Sequence, residues 1–182
     1  MTRLKTLALT LAFAAILPAN ALANCGAAAD RDPAAPGVSL KAARTATLCL
    51  LNSRRRHYNE RRLRFNHRLA LAGLRHARDM VAHKYFAHDA PSGQDFVQRI
   101  FKTDYVPASA SYTLGENLAW GDSRSSTPRE IVAAWMASPG HRSNILAAGF
   151  HEIGIAIVVG APVSGVGRAA TYATEFGTIH RH

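Results

Sequence analysis

The order of apolar patterns along this chain predicts an α+β fold. Three stretches carry apolar residues at helical spacing behind a good N-cap: from Ser39 to about Asn59, from Asn66 to Val81, and from Thr127 to Ser138. Two alternating stretches follow near the C-terminus, Glu152 to Val159 and Ala169 to Gly177, joined by the glycine-rich run from Gly160 to Gly167. Helices gathered ahead of a strand pair point to segregated layers instead of a βαβ alternation.

The elements justify themselves in order. Arg3 and Lys5 precede an apolar run from Leu7 to Leu17, and Ala21-Leu22-Ala23 has the small residues of a cleavage site, so residues 1–23 read as a secretory signal peptide. Asn24 to Val38, rich in Ala, Pro and Gly, reads as an extended arm. In the first helix Leu40, Ala43, Thr47, Leu50 and Leu51 share a face; in the second Leu69, Ala72, Gly73, His76, Ala77 and Met80 do. Tyr85 to Gly93 turns away from the core, Phe96 to Phe101 forms a short helix, and Thr103 to Thr113 is irregular with weak β tendency. Pro128 at the first helical position and Glu130 two residues on mark a third helix, which Pro139 and Gly140 stop just before His141. Ile145 and Leu146 then give one apolar turn before the strands, which pair as a hairpin.

Composition narrows the class of partner. The formal net charge of the 182 residues is +10, of which Arg3 and Lys5 contribute two, leaving +8 from Asn24 onward. The excess is concentrated in Arg54-Arg55-Arg56-His57-Tyr58-Asn59-Glu60-Arg61-Arg62. Charge runs are usually solvated faces; the functional reading is an anion-binding surface of Arg54, Arg55, Arg56, Arg61 and Arg62. Outside the plasma membrane the available anions are phospholipid and envelope polymer, and nucleic acid is not an expected partner. No stretch after residue 23 is long and apolar enough for a transmembrane segment, and the chain is read as a monomer. Cys25 and Cys49, an even count in an oxidising compartment, read as a disulfide. Leu22-Ala23-Asn24-Cys25 also loosely resembles a lipoprotein cleavage site, with Asn24 a poor residue before a lipidated cysteine.

Familiar hydrolase signatures are missing: there is no G-x-S-x-G elbow, and His151-Glu152 lacks the second histidine of H-E-x-x-H. What remains is His88, Glu116 and His141, each beside a turn or a glycine. Two imidazoles and a carboxylate suit either a zinc ion completed by water or an acid/base pair, and spacing does not choose between them. His76, on an apolar helix face, reads as a packed core histidine.

The wording around these residues is more specific. His88 in Y-F-A-H-D-A-P-S-G, Glu116 in G-E-N-L-A-W and His141 in W-M-A-S-P-G-H-R-S-N-I-L, followed by F-H-E-I-G-I-A, resemble the CAP superfamily of cysteine-rich secretory proteins, antigen 5 and pathogenesis-related proteins, in its bacterial SCP-like extracellular branch. The resemblance spans residues 45–177, leaving residues 24–44 as arm and helix start and residues 178–182 as a tail. It implies a three-layer α-β-α sandwich around a small central antiparallel sheet, with a cleft lined by two histidines and two acids. His88 and His141 match the histidines and Glu116 the first acid. The second acid is not obvious: Ser138 holds the place expected for it, and Glu175 on the last strand is the candidate. Asn117 and Asn144 are expected to bond backbone at turns, and Arg142 to pair with an acid or a helix C-terminus. The resemblance thus implies a secreted protein whose cleft holds zinc, another divalent cation or a small apolar ligand, with anionic lipid or envelope polymer at its basic surface. The alternative is a protease-like hydrolase that uses the His/Glu pair to activate water.

Overall fold

The computed structural model describes residues 25–180, so the segment read as a signal peptide lies outside the described residues. Five α-helices and four strands follow in the order α1 (Leu40–His57), β1 (Arg64–Phe65), α2 (His67–His83), α3 (Phe96–Phe101), β2 (Ser111–Asp122), α4 (Pro128–Ala137), α5 (Pro139–Leu146), β3 (Glu152–Val159) and β4 (Ala169–His180).

The helix starts are where the capping residues place them. The Ser39 hydroxyl accepts from the Ala42 N–H at 3.3 Å, Asn66 Oδ1 accepts from Arg68 and Leu69, and Thr127 Oγ1 accepts from Glu130. The Pro139-Gly140 pair divides one helical run into α4 and α5 with the break at Ser138, which puts His141 in the first turn of α5.

The four strands lie in the order β1-β3-β4-β2. The three long strands are antiparallel, with β3 and β4 forming the expected hairpin, while the two-residue β1 adds a parallel edge and makes the sheet mixed. Helices cover both faces. On one, Leu50, Leu51, Trp135 and Ile145 pack on Ile153, Ile155, Tyr172 and Phe176; on the other, α2 and α3 bring Leu69, Ala72, Met80 and Ile100 against Leu118, Ala173 and Tyr105. Helix α2 lies so close to β3 that a Cβ on Gly154 would stand 2.1 Å from the Ala70 nitrogen and from the Leu69 carbonyl carbon. Only glycine permits that approach.

Three expectations are corrected. Residues 111–122 are one long strand, not an irregular stretch followed by an isolated polar segment. Strand β4 runs on to His180, three residues into the segment expected as a tail. The N-terminal arm is packed: a 3-10 turn at Ala27–Asp30 buries Ala29 completely, and Cys25 is joined to Cys49 of α1 with their Cα atoms 5.6 Å apart. That bond takes the sulfur a lipidated Cys25 would need.

Candidate functional site

Strand β2 is an open edge of the sheet, and its central residues Glu116 and Asn117 point to opposite faces as strand geometry requires. Each reaches one of the two histidines. On the α2 side, Nδ1 of His88 donates to Glu116 Oε1 at 2.7 Å. On the α5 side, Asn117 Nδ2 donates to the His141 carbonyl at 3.0 Å, and Asn144 Nδ2 donates to the Glu116 carbonyl at 3.1 Å and to Asn117 Oδ1 at 2.9 Å. The two helical layers thereby deliver one histidine each to the same strand edge. Glu116 is buried under this lip while the His88 side chain is 56% exposed.

The loop that carries His88 is held from below by two residues. His76, buried in α2, donates from Nε2 to the Ala87 carbonyl at 2.9 Å, the packed role expected of it. Arg99, from α3, donates to the His88 carbonyl at 2.8 Å, to the Gln94 carbonyl at 3.0 Å and to Glu116 Oε2 at 2.7 Å. Arg99 had no assigned role in the sequence, since an arginine in a six-residue helix looks like a solvated charge. The only hint was its place beside Ile100, an apolar residue of a turn capped by Asp95.

Glu116 consequently bonds a neighbour with each oxygen, one to His88 and one to Arg99. In this arrangement Glu116 is placed to orient His88 through its Nδ1. Glu175, the candidate second acid, stands directly across β2 and β4 from Glu116 but is fully buried between the sheet and Gly73 of α2. Neither of its oxygens has a hydrogen bond of good geometry, although the two carboxyls are near enough to influence each other. Glu175 therefore supports the cleft from beneath and does not line it.

Electrostatics separate these groups. Burial opposes ionisation of Glu116, but His88, Arg99 and Glu175 together hold its pKa below the ordinary carboxylate value. Burial, with Glu116 alongside, pushes Glu175 well up, so Glu116 is the acid of the pair that ionises first. The bond to Glu116 raises the pKa of His88. Desolvation, and then the charge of His88, lower that of His141. Among the described residues no three or more His, Cys, Asp or Glu side chains are placed to hold a metal ion.

The arginine run divides. Arg56, Arg61 and Arg62 are exposed, but Arg55 is fully buried, donating to the carbonyls of Arg61 (2.5 Å), Ile145 (2.7 Å), Ala147 (2.9 Å) and Phe150 (3.3 Å), and Arg54 is half-buried. Arg55 is corrected from an anion-binding residue to a structural one that satisfies the C-terminal end of α5 and the turn after it. Arg142 likewise meets no acid: its guanidinium donates to the Tyr58 hydroxyl at 3.0 Å and stacks 5.0 Å from that ring.

Comparison with known proteins fits this geometry. A family model described as the cysteine-rich secretory protein family matches residues 48–174. The uncharacterized protein YkwD of Bacillus subtilis is 35% identical over 111 residues, 60% of this chain but 40% of that protein, so the match spans less than half of the relative. Among solved structures, an extracellular protein containing an SCP domain from Bacillus anthracis superposes with a TM-score of 0.58 at 21% identity, covering 81% of this chain and 45% of that one. An outer surface protein of Borrelia burgdorferi gives 0.60 at 20% identity, covering 73% and 90%. These two likenesses show a shared α-β-α sandwich, and no helix among the described residues is long and apolar enough to cross a membrane. With residues 48–174 matched and the sandwich in place, the chain belongs to the cysteine-rich secretory protein (CAP) family.

Proposed function

We propose that this is an exported binding protein whose cleft takes a divalent cation such as zinc on the imidazoles of His88 and His141, with water completing the shell. The observation that carries the reading is the 2.7 Å bond from His88 Nδ1 to Glu116. A carboxylate on the far ring nitrogen fixes the tautomer and raises the basicity of a metal-ligating histidine, and here that carboxylate is itself anchored by Arg99. His141 complements it, since a lowered pKa keeps its ring neutral and able to ligate near pH 7. A cation so held would act as a Lewis acid toward an oxygen-bearing ligand in the cleft. Export is supported by the basic and apolar pattern of residues 1–23 and by the Cys25–Cys49 disulfide.

The same bonds weigh against the hydrolytic alternative. A general base works best with a pKa near the operating pH, whereas the bonds from His88 and Arg99 help hold that of Glu116 below the ordinary carboxylate value. Metal analysis after dialysis against zinc tests the proposal. The protein should retain one equivalent, His88→Ala and His141→Ala should lose it, and Glu116→Gln should bind roughly 10- to 100-fold more weakly because His88 loses its orienting partner. Retention of a full equivalent by both histidine variants would reject it.

A further inference from the structure

The residues around the entry to α2 build a concave basin at the β1 edge of the sheet, opposite the edge that carries the histidine cleft. Asn66 caps α2 and turns the chain out of β1, so Arg64 and Phe65 before the turn and His67 and Arg68 after it line one cavity of about 1050 Å³. His151, just before β3, and His180, at the end of β4, flank the same cavity from the sheet. Glu152 is its one acidic lining residue, and both its oxygens are occupied, by the Tyr105 hydroxyl at 2.9 Å and by Asn66 Nδ2 at 3.3 Å. No ion pair among the described residues engages Arg64 or Arg68. The positive charge of the basin is therefore left to be answered from outside the chain.

Size and lining narrow the occupant. The cavity stands at the upper end of the roughly 300–1,000 Å³ typical of a site for one small ligand, more than a lone ion fills. Its cationic residues come from separate segments of the chain, so an occupant that meets them together carries charge at more than one point along its length. Arg68 donates to the Asp104 carbonyl, which restrains its side chain. Phe65 is 37% exposed and is steadied edge-on against the His67 ring at 5.0 Å. Aromatic and hydrogen-bonding side chains share the lining, Phe65 and Tyr105 with Ser109 and the histidines. A pyranose ring is divided in the same way, with an apolar C–H face and a rim of hydroxyls. A carboxylate on such a ring adds the charge that the arginines call for.

We propose that this basin binds a short stretch of an acidic glycan, with uronate-type carboxylates at Arg64 and Arg68, a sugar ring against Phe65, and hydroxyls facing His151 and His180. A concave wall that meets an anion from several sides holds it better than Arg56, Arg61 and Arg62, which stand exposed and are screened by solvent. The basin shares no residue with the histidine cleft, and β1 and β2 are opposite edges of the sheet, so the glycan and a cation at His88 and His141 can be held at once.

Calorimetric titration with trigalacturonate, a linear trisaccharide with a carboxylate on each ring, tests this. One molecule should bind, with affinity falling as salt is added. Maltotriose, which lacks the carboxylates, and triglutamate, which lacks the sugar rings, should each bind roughly tenfold or more weakly. Arg64→Gln and Phe65→Ala, both at exposed positions, should each weaken trigalacturonate about tenfold, and Arg64→Gln should also reduce the salt dependence. The triple variant Arg56→Gln, Arg61→Gln, Arg62→Gln should bind as the wild type does, and so should His88→Ala. No binding of trigalacturonate would overturn the proposal. Triglutamate binding as tightly would show that charge alone is read and would reject the glycan, and maltotriose binding as tightly would remove the role of the arginines. Unchanged affinity in Arg64→Gln and Phe65→Ala, with native circular dichroism, would place the site elsewhere and overturn it as well.

Discussion

Replacing Arg55 by Met should be among the most damaging single changes outside the apolar core, although the residue sits in the middle of a basic run. The Arg55 guanidinium is fully buried and serves four carbonyls: those of Arg61, Ile145, Ala147 and Phe150. Glu60 approaches only to 3.9 Å, so most of the charge is answered by backbone dipoles at the end of α5. Burial lowers the arginine pKa, yet a guanidinium stays protonated at any working pH. Methionine fills similar volume but donates nothing. A buried group stripped of its partner costs about 1–3 kcal/mol, and recovery of the charge's own desolvation offsets part of the loss of four. The net expectation is a destabilisation of about 3–5 kcal/mol, a large share of the roughly 5–15 kcal/mol that holds a domain together. Urea denaturation followed by circular dichroism reads it as a lower midpoint at unchanged slope. Arg56→Met, one residue on and exposed, should stay within about 0.5 kcal/mol of wild type. If Arg55→Met lies within about 1 kcal/mol of wild type, the size of one ordinary hydrogen bond, or if the two variants are equally damaging, the assignment of Arg55 to the interior is wrong.

Four further outcomes are expected. Glu175 keeps its proton in the folded protein over a range where the unfolded chain has lost it, so it makes stability fall as pH rises above about 4.5, by up to about 1.4 kcal/mol per pH unit. Glu175→Gln should therefore be more stable than wild type at neutral pH, and should flatten the pH dependence of the urea midpoint; equal pH profiles would count against a buried neutral acid. In the metal-free protein, NMR titration should find His88 changing charge above about 6.5 and His141 below it. The stabilisation from His88 is then complete below its unfolded pKa and lost as pH rises through the elevated folded one, while that from Glu116 is lost as pH falls through its depressed value; identical titration curves for the two rings would refute the assignment. Gly154→Ala must push α2 off β3 and should cost at least about 1–3 kcal/mol, seen as a lower melting temperature. Intact mass after alkylation without reductant should show no free thiol, and Cys25→Ser with Cys49→Ser should lose roughly 3 kcal/mol as the N-terminal arm is freed.

Capping and periodicity made the long helices and the β3–β4 hairpin legible in the sequence, because those signals are local: Ser39, Asn66 and Thr127 each bond within three residues of themselves. Strand β2 was not legible. Its centre buries Glu116 and Asn117, and two polar residues side by side erase the alternation that announces a half-buried strand. The partners that make those polar groups tolerable, Arg99, His88 and Asn144, come from distant parts of the chain. The same reason hid the role of Arg55, whose carbonyl partners include Ile145, Ala147 and Phe150. The three motifs found His88, Glu116 and His141, but the sequence did not show how their bonds are shared, with Glu116 held between His88 and Arg99. Glu175 lies on the last strand, where the sequence put it as the candidate second acid of the cleft; its burial goes with the closeness of α2, which depends on the small residues Gly73 and Gly154.

The central claim is that His88 and His141 act together on one cation, and a calorimetric zinc titration of the wild type and the two single alanine variants tests it most directly. Because imidazole must lose its proton to ligate, the account predicts one zinc per protein above about pH 7, weakening steadily toward about pH 5, and no comparable binding in either His88→Ala or His141→Ala. Zinc binding that survives in one of the single variants at wild-type affinity, or that does not weaken in acid, would contradict it.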